Sequence, residues 1–374
     1  MAGEDLTSSR FALPPLRPLT AEALSPTALV ALGQRIERRT WADGLPELFW
    51  GEGVCLLGMI RFAQSAGLPF PGRVHDWVGD RSRAALVLNH VNNVAPGTAA
   101  LHDGSAEGLA LAEQLLTWMR APQSLTRDAN GAIEHWPGGV WADTVFMGGL
   151  FLGQLGVARD DPSLVAEFGE QWLAHADLLQ DQTTGLFVHG SHRGEVIRCF
   201  WGRANAWMLL SGVEYLEIGA AHPQLADQDT SRQVAERVRR AMQALCHLQP
   251  EHGVWSVLVD DQPENAGLLE TSAAAGIGAA MLRAARVDLS LPAAVRTAGW
   301  RAVAGALAYV NDTGHLTRVS AGTVLQLVPF GYSVIRDDRP QLWGQGLALH
   351  AIAAALAADP DDLHKAGLRA ERTF

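Results

Sequence analysis

Cysteine is nearly absent from this chain: Cys55, Cys199 and Cys246 are the three in 374 residues, far apart and without paired spacing. That argues against a disulfide framework and a thiolate zinc site, and predicts a reducing compartment. Positive charge is also scarce, with 29 Lys and Arg against 40 Asp and Glu, for a formal charge of −11. A protein that binds duplexes needs a basic stripe to displace counterions from phosphates, so nucleic acid is not an expected partner. Charges and glycines break every apolar run before it reaches the ~18 residues of a membrane span, so no membrane association is expected. The N-terminus, MAGEDLTSSRFALPPLRPLT, starts acidic and has no apolar core before its prolines. It reads as a loose arm without a secretory signal, which predicts a cytoplasmic protein. Phosphate loops, GxSxG elbows and dinucleotide fingerprints are missing as well.

What remains is an ordinary globular composition, 48% hydrophobic and 18% charged. Apolar residues recur at three- and four-residue spacing over 20–39, 51–66, 105–119, 143–156, 163–180, 203–218, 230–248, 270–286, 293–310 and 343–358, with shorter pieces near 81–89 and 96–102. Strand-like alternation is brief, so the spacing predicts an all-α protein. A weak repeat organises the helices. A polar turn, a glycine and a short extended piece recur at Gly131-Ala-Ile-Glu-His, Gly185-Leu-Phe-Val-His, Gly253-Val-Trp-Ser-Val and Gly314-His-Leu-Thr-Arg, and Gly72-Arg-Val-His-Asp reads as an earlier copy. The three intervals between the first four are 54, 68 and 61 residues, each long enough for two helices. At that period 374 residues hold six helical hairpins, and units of this kind bury their apolar faces against one another. Glycine- and tryptophan-rich joints favour closure into an (α/α)6 barrel over an open solenoid. The expected division is an N-terminal arm, 1–26, and a single barrel domain, 27–374.

Twelve tryptophans stand against three tyrosines. Trp136, Trp141, Trp201, Trp207, Trp255 and Trp343 lie at joints or helix starts, where an indole suits the apolar face and hydroxyls of a sugar ring. In HWPGGVWADTVFM (135–147), Asp143 opens an apolar helix after a Gly-Gly turn. It reads either as a helix cap, stabilised by the helix dipole, or as an acid whose pKa the neighbouring indoles raise toward proton transfer. In GLFVHGSHRGEVIRCFWGRANAW (185–207), His189, His192, Arg193, Arg198 and Arg203 cluster in a chain otherwise short of positive charge. Arg203, between Trp201 and Trp207, offers a planar fork for a carboxylate, whereas Arg193 reads as a surface ion-pairing residue. His189 and His192 have no third ligand nearby in sequence, which predicts no metal, and no organic cofactor is called for. Glu270-Thr-Ser-Ala reads as capping and Trp343-Gly-Gln-Gly as close helix packing.

Taken in order, VWADTVFM (140–147), GLFVHG with FWGRANAW (185–207), LLETSAAAG (268–276) and WGQG (343–346), with a weaker NNVAPGTA (92–99), resemble the unsaturated glycuronyl hydrolases of glycoside hydrolase families 88 and 105. The resemblance implies the same (α/α)6 barrel. It also implies a hydrolase that removes a 4,5-unsaturated uronic acid from the nonreducing end of lyase-generated oligosaccharides by hydrating the C4=C5 vinyl ether. Such chemistry needs one prominent carboxyl, not the pair used for acetal hydrolysis. Asp143 then matches the general acid/base, and His189, Trp201 and Arg203 match substrate-binding positions. Trp136, Trp141, Trp343 and Asn93 are the further expected substrate contacts. Where family members often carry another aspartate, this chain offers Asn92 or Asn93, which can bond a hydroxyl but cannot act as a base. The basic loop 190–200 has no counterpart in the resemblance. The alternatives are another (α/α)6 carbohydrate enzyme, either a sugar epimerase with histidine bases or an ordinary glycosidase, and an inactive carbohydrate-binding relative.

Overall fold

The computed structural model describes residues 14–287, 289–366 and 368. Among these the chain forms six consecutive helical hairpins. The outer helices are α1 (Pro26–Asp43), α3 (Gly72–Arg83), α5 (Ala106–Arg120), α7 (Pro162–Leu179), α9 (Gln228–Leu248) and α11 (Ala293–Leu307). The inner helices are α2 (Trp50–Ser65), α4 (Pro96–Asp103), α6 (Leu150–Arg159), α8 (Gly202–Ala221), α10 (Thr271–Arg283) and α13 (Leu342–Leu356). Two short helices, α12 (Pro329–Ser333) and α14 (Pro360–Lys365), lie outside this alternation. Each inner helix packs on the next, α2 on α4, α4 on α6, α6 on α8, α8 on α10 and α10 on α13, and α13 packs back on α2. The ring closes, and the fold is an (α/α)6 barrel.

Sequence chemistry explains which helices went inside. Helix α9 carries polar residues on all but one stripe and buries Val234, Val238, Ala241, Met242 and Leu245, a spacing of three and four. Helix α10, by contrast, is buried from Thr271 through Arg283, and its alanines and glycines let backbones approach from both sides. The closing seam uses the same device: a Cβ on Gly346 would lie 2.6 Å from the Val54 carbonyl, so only glycine fits there.

The glycine repeat is real at four of its five positions. Gly131, Gly185, Gly253 and Gly314 have φ of 85°, 79°, 84° and 92°, which glycine adopts without a Cβ penalty. The Gly131, Gly185 and Gly314 turns each close with a single β-bridge: Arg127 with Ile133, Gln180 with Phe187 and Val310 with Leu316. After Gly253 the bridge instead joins Ser256 to Leu269. Gly72 is different. It opens α3 instead of an extended piece, because no strand-forming partner precedes it and Val74, Trp77 and Val78 form a helical apolar stripe. Helix α3 therefore ends at Arg83, and residues 84–89 are not helical, contrary to the helix expected near 81–89. The first helix also starts late, at Pro26, a residue suited to an initial turn.

The expected arm is described from residue 14 onward, and its first thirteen residues lie outside the described set. The described part lies against the barrel: the Leu16 N–H donates to the Tyr309 hydroxyl at 2.8 Å and the Leu19 N–H to the Ala304 carbonyl at 3.1 Å. No helix among the described residues is long and apolar enough to cross a membrane.

Candidate active site

The loops that enter the inner helices gather at one end of the barrel, and Asp143 stands there at the start of the third inner element, the one that continues into α6. Its carboxyl precedes a π-helical turn, Val145–Gly149, that widens the helix before α6 begins. Such turns recur at functional sites because they offset side chains from the regular helical register. Asp143 does not serve as a side-chain cap: its Oδ2 is buried without any hydrogen-bond partner. Burial pushes the carboxyl up to about 7, against the opposing pull of the Arg203 charge, its own backbone N–H and the Trp207 side chain. Of the two influences left open by sequence, desolvation dominates.

Facing it, the His189 Nε2 lies 3.6 Å from Asp143 Oδ2. His189 is fully buried, and desolvation together with the Arg203 charge keeps it neutral, its pKa well below the usual imidazole value. Its Nδ1 is 2.7 Å from the Tyr332 hydroxyl, carried on α12. When that hydroxyl donates to Nδ1, the ring hydrogen sits on Nε2 and points at Asp143.

Around this pair the molecule leaves several polar atoms buried and unpartnered: Asp143 Oδ2, His189 Nε2, His90 Nε2, Trp201 Nε1 and Trp207 Nε1. Native interiors rarely tolerate such a group, and a concentration of them marks a place that awaits a polar ligand. Ring contacts connect them into a wall. From His189 it runs to Trp141 (5.1 Å between ring centres), His135 (4.7 Å, stacked), His90 (4.8 Å) and Trp136 (4.2 Å). The wall thus leads from the buried carboxyl to an indole that is 51% exposed. Across the site Trp50 stacks on Trp343 at 4.2 Å, and Trp201 lies 4.2 Å from His189.

The structure thus brings Asp143, His189, Trp201, Trp141 and Trp136 together, with Trp343 close by, and sets two expected contacts apart. Asn93 is structural: its Oδ1 accepts from the Asn89 and His90 N–H groups and its Nδ2 donates to the Leu48 carbonyl, so the amide is consumed in shaping the Val91–Asn93 turn. Asn92 is the asparagine beside the wall, with Nδ2 3.4 Å from His135 Nε2. Arg203 has no exposed surface. Its Nη1 reaches Glu270 at 3.1 Å and the Ser320 carbonyl at 3.0 Å, and its Nη2 reaches the Ala321 carbonyl and Thr323 hydroxyl. Sandwiched against the Trp201 and Trp343 rings, it fastens loop 318–323 beneath the site with both terminal nitrogens engaged. The correction has a simple cause: Glu270 and the oxygens of loop 320–323 take up both terminal nitrogens of the guanidinium, and only Nε is left without a partner.

Glu270 does bond the Ser272 N–H like a cap, as its sequence context suggested, but it also accepts from Arg203, Ser320 and the Ser272 hydroxyl. Sequence reasoning did not find Tyr332, His135 or His90. Tyr332 sits in the aperiodic stretch 317–341, where no pattern announces it, while His90 and His135 each adjoin a recognised motif. Among the described residues, no three His, Cys, Asp or Glu side chains converge as metal ligands. A second charged cavity, about 200 Å³, opens between Arg61, Glu217, Arg283 and His350, but Arg61 is paired with Glu214 and Arg283 with Glu214 and Glu217.

The model of glycosyl hydrolase family 88 matches residues 33–358, nearly the whole barrel. The chain belongs to that family. Among its relatives is the unsaturated rhamnogalacturonyl hydrolase YesR of Bacillus subtilis strain 168, 29% identical over 82% of this chain and 89% of that protein. In solved structures the fold resembles a possible GH105 family member from Salmonella enterica serovar Paratyphi A, with a TM-score of 0.78 at 24% identity over 89% of this chain and 94% of that one. It also resembles the unsaturated glucuronyl hydrolase of Bacillus sp. GL1, with a TM-score of 0.66 at 15% identity over 87% and 96%. As a member of family 88 this protein is a glycoside hydrolase of the unsaturated glycuronyl and rhamnogalacturonyl hydrolase group.

Proposed function

We propose that the protein removes a 4,5-unsaturated uronic acid from the nonreducing end of an oligosaccharide by hydrating its C4=C5 bond, with Asp143 as general acid and then base. The observation that carries this reading is a single free carboxyl, buried, raised to about 7 and aimed at His189, inside a cluster of unpartnered donors and acceptors. Near neutral pH such a group is populated in both protonation states, which suits a residue that must give a proton and take one back.

The steps follow from that placement. Protonated Asp143 delivers its hydrogen to C4, and the positive charge that develops at C5 is shared with the ring oxygen. A water adds to C5 while the Asp143 carboxylate takes its proton. The resulting hemiketal opens, breaking the bond from C5 to the ring oxygen, and the hemiacetal left at C1 releases the aglycone alcohol. One water is consumed, and no covalent sugar-enzyme bond forms. His189, neutral with Nε2–H toward Asp143 Oδ2, steadies the carboxylate half of the cycle. The aromatic wall and the unpartnered indole N–H of Trp201 would receive ring faces and hydroxyls.

Ordinary acetal hydrolysis needs a second working carboxylate. The nearby candidate, Glu270, has Oε1 engaged by the Ser272 N–H and hydroxyl and Oε2 by Arg203 and Ser320, so it is not free to act as nucleophile or base. The test is the ultraviolet absorbance of the vinyl ether, followed on a panel of lyase-generated disaccharides. Turnover should abolish the absorbance, and Asp143→Asn should lower the rate by about 10²–10⁴ while substrate still binds. Sugar release with the absorbance intact, or an Asp143→Asn variant that keeps more than a tenth of the activity, would sink the assignment.

A further inference from the structure

The basic loop that the family resemblance left unassigned is a β-hairpin, β1 (Gly190–His192) and β2 (Glu195–Ile197), rooted in the active site. At its base Gly190 bridges Trp141, and the Ser191 N–H donates to the Val140 carbonyl at 2.9 Å, two to three residues before Asp143. From Gly190 to the tip is three residues, or about 10 Å at the usual strand rise, a reach of disaccharide scale from the reacting ring. The tip is Arg193-Gly194, and both residues have positive φ, 51° and 83°. A two-residue turn of this kind favours Asn or Gly at its first position, and a long side chain there carries a conformational cost. The turn is held in place by the opposite loop: the Arg193 N–H donates to the Gly138 carbonyl at 2.6 Å.

That contact sets Arg193 beside the Trp136–Gly139 turn, at the outer end of the aromatic wall. Arg193 is exposed, and among the described residues its guanidinium has no carboxylate partner. Its neighbour Arg198 differs: it is paired with Asp181 at 2.8 Å and lies over the Phe200 ring. In a chain of charge −11, an unpaired cation beside a half-exposed indole at the mouth is a feature with recognition chemistry: one group for an anion, one for a ring face.

We propose that Arg193 and Trp136 form an outer subsite that takes an anionic sugar in the aglycone, beyond the unsaturated uronate. The proposal rests on the function argued above and deepens it by naming a substrate class: oligosaccharides whose retained part bears a carboxylate or a sulfate ester. Trp136 stacks on the ring, and Arg193 meets its anionic group. The sequence reading of Arg193 as an ion-paired surface residue is replaced by this role.

Three vinyl-ether substrates test it, matched except that the aglycone is neutral, carboxylated or sulfated. Wild type should prefer an anionic aglycone. Arg193→Ala should lose about two- to fivefold in kcat/KM on that substrate relative to the neutral one, mainly through KM, the range of an exposed charge contact. Arg193→Lys should restore most of the preference, and added salt should erase it. A loss confined to the carboxylated or to the sulfated compound identifies the anion. Trp136→Ala should weaken all three alike. Equal effects of Arg193→Ala on neutral and anionic substrates, with wild type active, would overturn the subsite and leave the reaction standing. If wild type consumes none of the three, the reaction fails instead. Calorimetric binding of the same compounds to wild type and Arg193→Ala then decides the subsite: a selective loss of affinity for the anionic one supports it, and equal affinities refute it.

Discussion

Replacing Asp143 by Asn should make the protein more stable at alkaline pH while it removes activity. The carboxyl has a pKa of about 7 in the folded protein and about 3.9 in an unfolded chain. Below roughly pH 4 it is protonated in both states and contributes no difference. Between these values the folded state binds more protons, so stability falls as pH rises, and above pH 7 the full cost of a buried charge is present. A shift of about 3 units corresponds to about 4 kcal/mol. Asn occupies the same space without charge, and its amide oxygen can face His189 Nε2. For a chain of 374 residues, an unfolding entropy of about 0.8 kcal/mol/K converts that energy to a rise of about 5 °C in melting temperature. The assay is thermal melting of both proteins at one scan rate from pH 4 to pH 8.5, with urea midpoints as a check. The difference should be near zero at pH 4, grow through pH 5–7 and level off above. A variant that melts no higher than wild type at pH 8 would refute the claim that desolvation governs Asp143.

In the wild-type enzyme, kcat/KM should fall as pH rises through about 7, because the donor form of Asp143 is lost there; a flat profile to pH 9 would contradict it as the acid. Tyr332→Phe should lower kcat several-fold, up to about tenfold, and move the alkaline limb to higher pH, since His189 Nε2–H would no longer be fixed toward the carboxylate. An unchanged limb would show that Tyr332 only packs. Arg203→Ala should cost about 3–5 kcal/mol of stability by leaving Glu270 buried without its partner. Its activity should drop alike on charged and neutral substrates, and an unchanged melt with a selective loss on charged ones would restore it as a direct contact. Activity should survive exhaustive chelation, whereas a loss reversed by one divalent ion would show a ligand set that the donor geometry does not suggest. Gly346→Ala should lower stability by about 1–3 kcal/mol or more, read from urea midpoints, because the new methyl meets the Val54 backbone.

The barrel was legible because its units repeat a local rule: an amphipathic outer helix, a left-handed glycine turn and an inner helix. Gly131, Gly185, Gly253 and Gly314 carried that rule in single letters, and the copy at Gly72 misled because a glycine before a short apolar piece also opens helices. Asp143 was legible through its setting of Gly-Gly turn and flanking indoles, although sequence left open whether the helix start or burial would control its proton. Arg203 shows where such reasoning ends. An arginine between two tryptophans looks the same in sequence whether it points into the mouth or back toward Glu270 and Ser320, and those partners are 67 and 117 residues away. Tyr332 and the Asn92/Asn93 distinction were hidden for the same reason: long-range placement and backbone bonds decide them, and neither leaves a periodic trace.

Closure of the inner ring bears on how the chain is made. The Cys55 thiol donates to the Leu342 carbonyl across 287 residues, and α2 meets α13 along a seam of glycines. Until residue 356 has been synthesised, α2 and α10 both lack a neighbour, and their apolar faces stand open. Contacts this remote in sequence form late and slow the search for the native state, and an incomplete ring exposes surface prone to association. The molecule thus has a last stave: a nascent chain that ends before α13 is an open hoop that must be sheltered or degraded, whereas one that completes it snaps shut around a finished active site.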